Sequence, residues 1–233
     1  MAMVVITILP ILISYPFFRK YFFTGVDRCS NSLDNGKEAV SMKGYVFHCQ
    51  LDYEDVPYPC TATGFGTVAD NGCGPCCASM VAENMLHISF PVQEACRLAI
   101  ACGARDKPGT DMHVFAPAFA QTMGLDLLVT EDAEEVRRFL AQSRGMVIAN
   151  TRGDREGYTG VFSDSAHYIV LTDLEGEFVR VLDPTYRDGR YDSPGRKGKV
   201  RMEGNEAIAL LSVISQDCMS RPYFLFSRRE ESK

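Results

Sequence analysis

The hydrophobic period of this chain changes once, near residue 145, and that change restricts the fold more than anything else in the sequence. Before it, apolar residues recur at helical intervals. Pro75 opens the run CCASMVAENMLHIS, with apolar residues at 77, 81, 85 and 88. Pro91 begins a second run, VQEACRLAIAC, which Gly103 ends. A third runs from Asp111 to Met123, with Gly124 as its stop and Pro117 interrupting it. Thr130 precedes EDAEEVRRFLAQ, whose first turn is acidic and whose Val136, Phe139 and Leu140 share one face. After the change the runs are short and strand-like. They are MVIAN (146–150), HYIVLTDL (167–174) and EFVRVLDP (177–184), the last two joined by a Glu175–Gly176 turn, and YFLFS (223–227). IALLSVI (208–214) suits either a helix or a strand. Helices followed by antiparallel strands predict an α+β domain.

Composition removes several alternatives. The 233 residues are 46% hydrophobic and 23% charged, ordinary for a globular chain that can bury a core. The 24 basic and 30 acidic residues give a net charge of −6, which lacks the basic footprint of a nucleic-acid partner. Nine cysteines are too few for a small disulfide scaffold, and the odd number leaves at least one thiol unpaired. Cys73-x-x-Cys76 has no second such pair at zinc-ribbon spacing, so no metal is expected, and no cofactor motif is present.

The amino-terminal stretch, residues 1–18, carries no charge, and Arg19 and Lys20 follow it. A secretory signal places its positive charge ahead of the apolar stretch, not behind it. As a helix the stretch would reach about 27 Å, close to the thickness of a bilayer core, although Pro10 and Pro16 weaken it. Residues 1–23 are therefore read as an apolar segment suited to membrane association. The positive flank would keep the rest of the chain on the cytoplasmic side, so the protein is expected in the cytoplasm or anchored there. Residues 1–24 also resemble the tail of a sugar-transporter permease. Residues 24–43 read as a polar linker, 44–227 as the globular domain and 228–233 as a charged tail.

Two places carry chemistry. In Asn71-Gly-Cys-Gly-Pro-Cys-Cys77, Cys73 sits just ahead of a proline-opened helix. The positive end of the helix dipole there favours thiolate, the nucleophilic form. The glycines let a substrate backbone approach. Cys73-Gly-Pro-Cys76 is also the thioredoxin tetrapeptide, but here it follows a polar loop rather than a buried strand, and the chain has no tryptophan. Cys76 is three residues on from Cys73, on the same helical face, and is a candidate redox partner for it. The second place is the strand pair. His167 starts one strand and Asp183 ends the next, so an antiparallel pairing brings them together. A carboxylate beside an imidazole orients it and fixes its tautomer. His48, His87 and His113 occupy less suitable positions.

The order Cys, His, Asp-Pro, together with GCGPCCASMV (72–81), GTDMHVFAPAFAQTMGL (109–125), GMVIAN (145–150) and AHYIVLTDLEGEFVRVLDP (166–184), resembles family thirty-nine of the cysteine peptidases, the bacteriocin-processing group. The resemblance spans about residues 45–227. It implies a papain-like α+β fold, with helices carrying the nucleophile and a C-terminal antiparallel sheet. It further implies Cys73 as nucleophile, His167 as base, Asp183 as orienter, and a peptide or protein substrate. The sequence departs from the family at Cys76 and Cys77, where relatives usually carry Thr or Ala. The papain-type oxyanion glutamine, six positions before the nucleophile, is here Thr67. Gln50, in a segment like one that some relatives carry, and Asn71 are the alternative donors.

These readings point to a thiol-dependent peptidase. The alternatives are a catalytically silent peptide-binding domain of the same fold, which Thr67 favours, and a thiol–disulfide redox protein.

Overall fold

The computed structural model describes residues 44–229. The apolar segment 1–23 and the linker 24–43 lie outside the described residues. Among the described residues, 44–229, no helix is long and apolar enough to cross a membrane.

The helices are α1 (Val68–Asn71), α2 (Cys73–Leu86), α3 (Val92–Ala101), α4 (Met112–Met123), α5 (Ala133–Ala141) and α6 (Leu211–Asp217). The strands are β1 (Leu125–Thr130), β2 (Gly145–Thr151), β3 (His167–Glu175), β4 (Phe178–Leu182), β5 (Val200–Glu203), β6 (Glu206–Leu210) and β7 (Tyr223–Arg228). All seven strands join one antiparallel sheet in the order β1-β7-β2-β3-β4-β6-β5. The fold is α+β, as the change of period predicts.

The sheet is buried on both faces at its centre, which explains why its strands read as continuous apolar runs. Met146 and Ile148 of β2, with Phe224 and Phe226 of β7, face one core with α2, α3 and α4. Val147 and Ala149, with Tyr223 and Leu225, face a second core under α5 and α6. This is the two-residue alternation of a pleated strand.

The helix boundaries have local causes. α2 begins at Cys73, two residues ahead of Pro75, since proline fits the first turn, where a backbone donor has no intrahelical partner anyway. α4 runs unbroken through Pro117. Pro117 and His113, one turn earlier, both lie on the exposed side, where water can satisfy the carbonyl that proline leaves without a donor. Asp132 caps α5 by accepting from Glu134 N at 2.9 Å. IALLSVI divides, with β6 ending at Leu210 and α6 starting at Leu211. β7 continues to Arg228.

Candidate active site

Cys73 is the first residue of α2. Gly72 precedes it because a Cβ there would come within 2.4 Å of Val68 Cγ1 and 2.5 Å of Val68 O. Gly74 follows because a Cβ there would press on Thr110, with contacts of 2.9–3.2 Å. The glycines thus let α1, the loop ending at Thr110 and the start of α2 close on one another around the cysteine. Tyr168 OH donates to Thr110 O at 3.2 Å, and Gly109 N donates to Asn71 Oδ1 at 3.2 Å, so the same loop is tied to both β3 and α1.

His167 and Asp183 form the second half of the site. His167 Nε2 lies 2.8 Å from Asp183 Oδ1, with His167 4% and Asp183 0% exposed. A bulge sets this pairing. Towards the site, Val170 faces Leu182 and Leu171 faces Val181; towards the hairpin tip, Leu174 faces Val179 and Glu175 faces Phe178. β3 therefore holds one extra residue at Thr172–Asp173. Continued from the site side, the register sets Asp183 opposite Ile169, which shares a face with His167. Continued from the tip without the bulge, it would set Asp183 opposite Val170, on the other face. The bulged strand is held by Thr172 Oγ1 donating to Arg180 O at 3.4 Å and by Tyr45 OH donating to Asp173.

With Nε2 engaged by Asp183, and with Thr185 Oγ1 3.2 Å away, Nδ1 is the ring nitrogen of His167 left for Cys73. Burial alone would raise the Cys73 thiol, but its value lies below that of an ordinary thiol. The His167 hydrogen bond and charge outweigh burial, with help from the backbone N–H groups of Tyr168 and Gly74. Burial would lower His167, yet it is raised, by the charge and hydrogen bond of Asp183 and then by Cys73. Burial would raise Asp183, yet its carboxyl is held well below the usual range by His167, Arg190 and Tyr191. Together these shifts favour a thiolate–imidazolium pair backed by a carboxylate. Cys73 remains partly exposed to solvent among otherwise buried neighbours.

The sequence-predicted residues separate clearly. Cys73, His167 and Asp183 come together. Gln50, in a short 3-10 turn (Gln50–Asp52), is 5% exposed; its backbone N donates to Pro184 O at 2.7 Å and its Nε2 to Ala69 O at 2.8 Å. It thus lies between α1 and the Asp183-Pro184 segment, and its Oε1 has no partner. Asn71 is engaged with Gly109. Thr67 caps α1, exchanging hydrogen bonds with Asp70 in a capping box. Cys76 and Cys77 are fully buried in the first core, and burial pushes both thiols well up. The eight cysteines among the described residues form no disulfide with one another. His48 is joined to Glu83 at 2.7 Å and to Tyr53 at 2.9 Å, away from this site. Among the described residues no cluster of three or more potential ligands is arranged to hold a metal ion.

Three residues that sequence reasoning missed surround Asp183. Thr185 donates from N at 2.9 Å and from Oγ1 at 2.8 Å to Oδ1. Arg190 Nε at 3.0 Å and Tyr191 OH at 2.7 Å both donate to Oδ2. The signal available was proximity: all three follow Asp183 within 8 residues, in a segment without hydrophobic period.

No protein-family model matches this sequence, and no curated protein matches it either. Solved structures do. The chain is similar to the peptidase domain of Streptococcus ComA, a bi-functional ABC transporter involved in a quorum-sensing pathway, at 12% identity and a TM-score of 0.47 over 68% of this chain and 93% of that one. It is also similar to a double glycine motif protease from an AMS/PCAT transporter, solved with its leader peptide, at 14% identity and a TM-score of 0.41 over 67% and 84%.

Proposed function

We propose that this protein is a cysteine peptidase acting through Cys73, His167 and Asp183. The observation that carries the reading is the His167–Asp183 pair, Nε2 to Oδ1 at 2.8 Å on a fully buried carboxylate, with Cys73 at a helix start and its thiol lowered by that His167. The Cys73 thiolate adds to a peptide carbonyl carbon. The His167 imidazolium gives its proton to the departing amine as the C–N bond breaks, leaving a thioester. Water then gives a proton to neutral His167 and attacks the thioester, releasing the acid and restoring the thiolate–imidazolium pair. Asp183 keeps the ring in the tautomer and orientation that both steps need.

For the oxyanion we propose Gln50. Its amide is buried beside α1, one helical turn ahead of Cys73, and only one contact of its Nε2 is used within the protein. The carbonyl oxygen of a bound substrate would take the second amide hydrogen. A second reading, peptide binding without cleavage, is favoured by Thr67: the position six before the nucleophile offers no amide, and its hydroxyl serves a helix cap.

The test offers a mixed peptide library to the parent and to Cys73→Ala, with cleavage read by mass spectrometry. Cleavage by the parent alone is the expected result. Equal cleavage by both would exclude Cys73 as nucleophile, and binding with cleavage by neither would favour the silent domain.

A further inference from the structure

We infer that Arg190 is a positioning residue for the Cys73–His167–Asp183 unit, fixing the plane of the Asp183 carboxylate by holding Oδ2 while Oδ1 meets His167. This rests on the peptidase reading above and assigns to that site a residue outside its triad.

The two carboxylate oxygens have separate partners. Oδ1 takes His167 Nε2 and the backbone and hydroxyl of Thr185; Oδ2 takes Arg190 Nε and Tyr191 OH. The terminal torsion of an aspartate is broad and roughly two-fold, so contacts on one oxygen alone leave the plane poorly set. Arg190 is itself fixed at a second point, since its Nη2 donates to Phe162 O. Phe162 is anchored in turn by its N–H, which donates to the buried Asp217 at 2.9 Å. Arg190 thus links the segment after Asp183 to the loop before His167. A guanidinium stays charged at any working pH and makes directional contacts, which suits it to hold a carboxylate in one plane.

The outer side of Arg190 and Tyr191 faces a half-open cleft of about 290 Å³, which Gly189, Asp192, Val200 and Met202 also line. A shorter side chain at 190 therefore opens onto solvent instead of leaving a sealed void. Tyr191 stacks on Tyr186 with ring centres 6.0 Å apart, a contact that Tyr191→Phe would keep. The other titratable groups facing the unit are Cys76 and Cys77 on α2, Tyr168 on β3 and Tyr58 in the loop before α1. Replacing Arg190 changes none of these directly.

The experiment measures alkylation of Cys73 by iodoacetamide against pH, mapped by mass spectrometry, in the full-length parent, Arg190→Gln, Arg190→Lys and Tyr191→Phe. With the carboxylate plane loosened, the imidazolium is less well held and the thiolate is lost at higher pH. The acid limb in Arg190→Gln should move up by about one unit, roughly tenfold in rate at a fixed pH on that limb, and converge with the parent where every thiol is ionised. Arg190→Lys should recover part of the shift and Tyr191→Phe should show a smaller one. In a His167→Ala background Arg190→Gln should have no further effect, because it acts through the imidazole. A folded Arg190→Gln with the parent's profile, even at a lower melting temperature, would overturn the inference. If that variant failed to fold, unshifted profiles in both Arg190→Lys and Tyr191→Phe would overturn it. A parent whose Cys73 reacts like an ordinary thiol would instead refute the peptidase reading beneath it.

Discussion

His167 and Asp183 meet, Nε2 to Oδ1 at 2.8 Å, because β3 carries one more residue than β4 between the hairpin tip and the site. The pair is the product of a register shift, since a regular hairpin with the same turn would place the two side chains on opposite faces. Asp183 has four donor groups besides His167, two from Thr185 and one each from Arg190 and Tyr191. A charge with no exposure persists only with such partners.

Asp183→Asn should therefore be costly in two separate ways. It leaves the Arg190 charge without its partner, and breaking a buried ion pair from one side destabilises by about 3–5 kcal/mol. Chemical denaturation of the two proteins at pH 7 measures that loss. It also leaves the imidazole poorly oriented, and turnover of any cleaved peptide should fall by up to about 10⁴-fold, the loss for the matching change in a Ser-His-Asp triad.

The pH dependence of stability carries a distinct signature. The Asp183 carboxyl is held well below its ordinary value. Its stabilising contribution is thus fully present above about pH 4, the unfolded aspartate value, and is lost as pH falls through the lower folded value. Melting temperatures taken from pH 6 down to pH 2 should fall less steeply for Asp183→Asn than for the parent, because the variant has no such carboxylate to protonate.

Gln50 and Thr67 can be separated by one pair of variants. Thr67→Ala removes a helix cap, with an expected cost of about 1 kcal/mol and little change in turnover. Gln50→Ala removes the proposed oxyanion donor and should lower kcat by about 10²–10³-fold. Steady-state kinetics on a cleaved peptide would show this split; equal, small effects on kcat would remove Gln50 from the mechanism.

A chain shortened to begin at Lys43 should fold by itself, since the helical and strand patterns start after Gly44 and residues 45–229 contain both cores. Its calorimetric melt should be cooperative and close to that of the full chain. A molten or insoluble product would show that residues 1–42 contribute to the folded domain.

Much of this site could be read from the sequence because its signals are local. Glycines and a proline around Cys73 mark a tight helix start, and His167 and Asp183 stand at the ends of two apolar runs. The bulge could not be read, since Thr172 and Asp173 look like ordinary strand residues, and their offset depends on what β4 pairs with. The partners Arg190 and Tyr191 belong to a segment without periodicity, so only the folded chain shows them reaching back to Asp183. β1 was missed because LDLLVT does not alternate: it leaves Leu128 and Val129 exposed at the sheet edge. β5 and the first half of β6 give no strand signal: they are short, carry Arg201, Glu203 and Glu206, and are joined by Gly204-Asn205. Gln50 was found through resemblance alone; its burial between α1 and Pro184 depends on long-range contacts.

The central claim is that His167 makes Cys73 a thiolate near neutral pH, and the most direct measurement is the alkylation rate of every cysteine at pH 7, in the parent and in His167→Ala. An ordinary thiol is only a few per cent ionised there. Cys73 should accordingly react about ten- to thirtyfold faster than an ordinary thiol, while Cys49, Cys76, Cys77, Cys96 and Cys218, buried and with raised values, lag behind. In His167→Ala the Cys73 advantage should vanish. Equal reactivity of Cys73 in the two proteins, or faster reaction at another cysteine, would contradict the account.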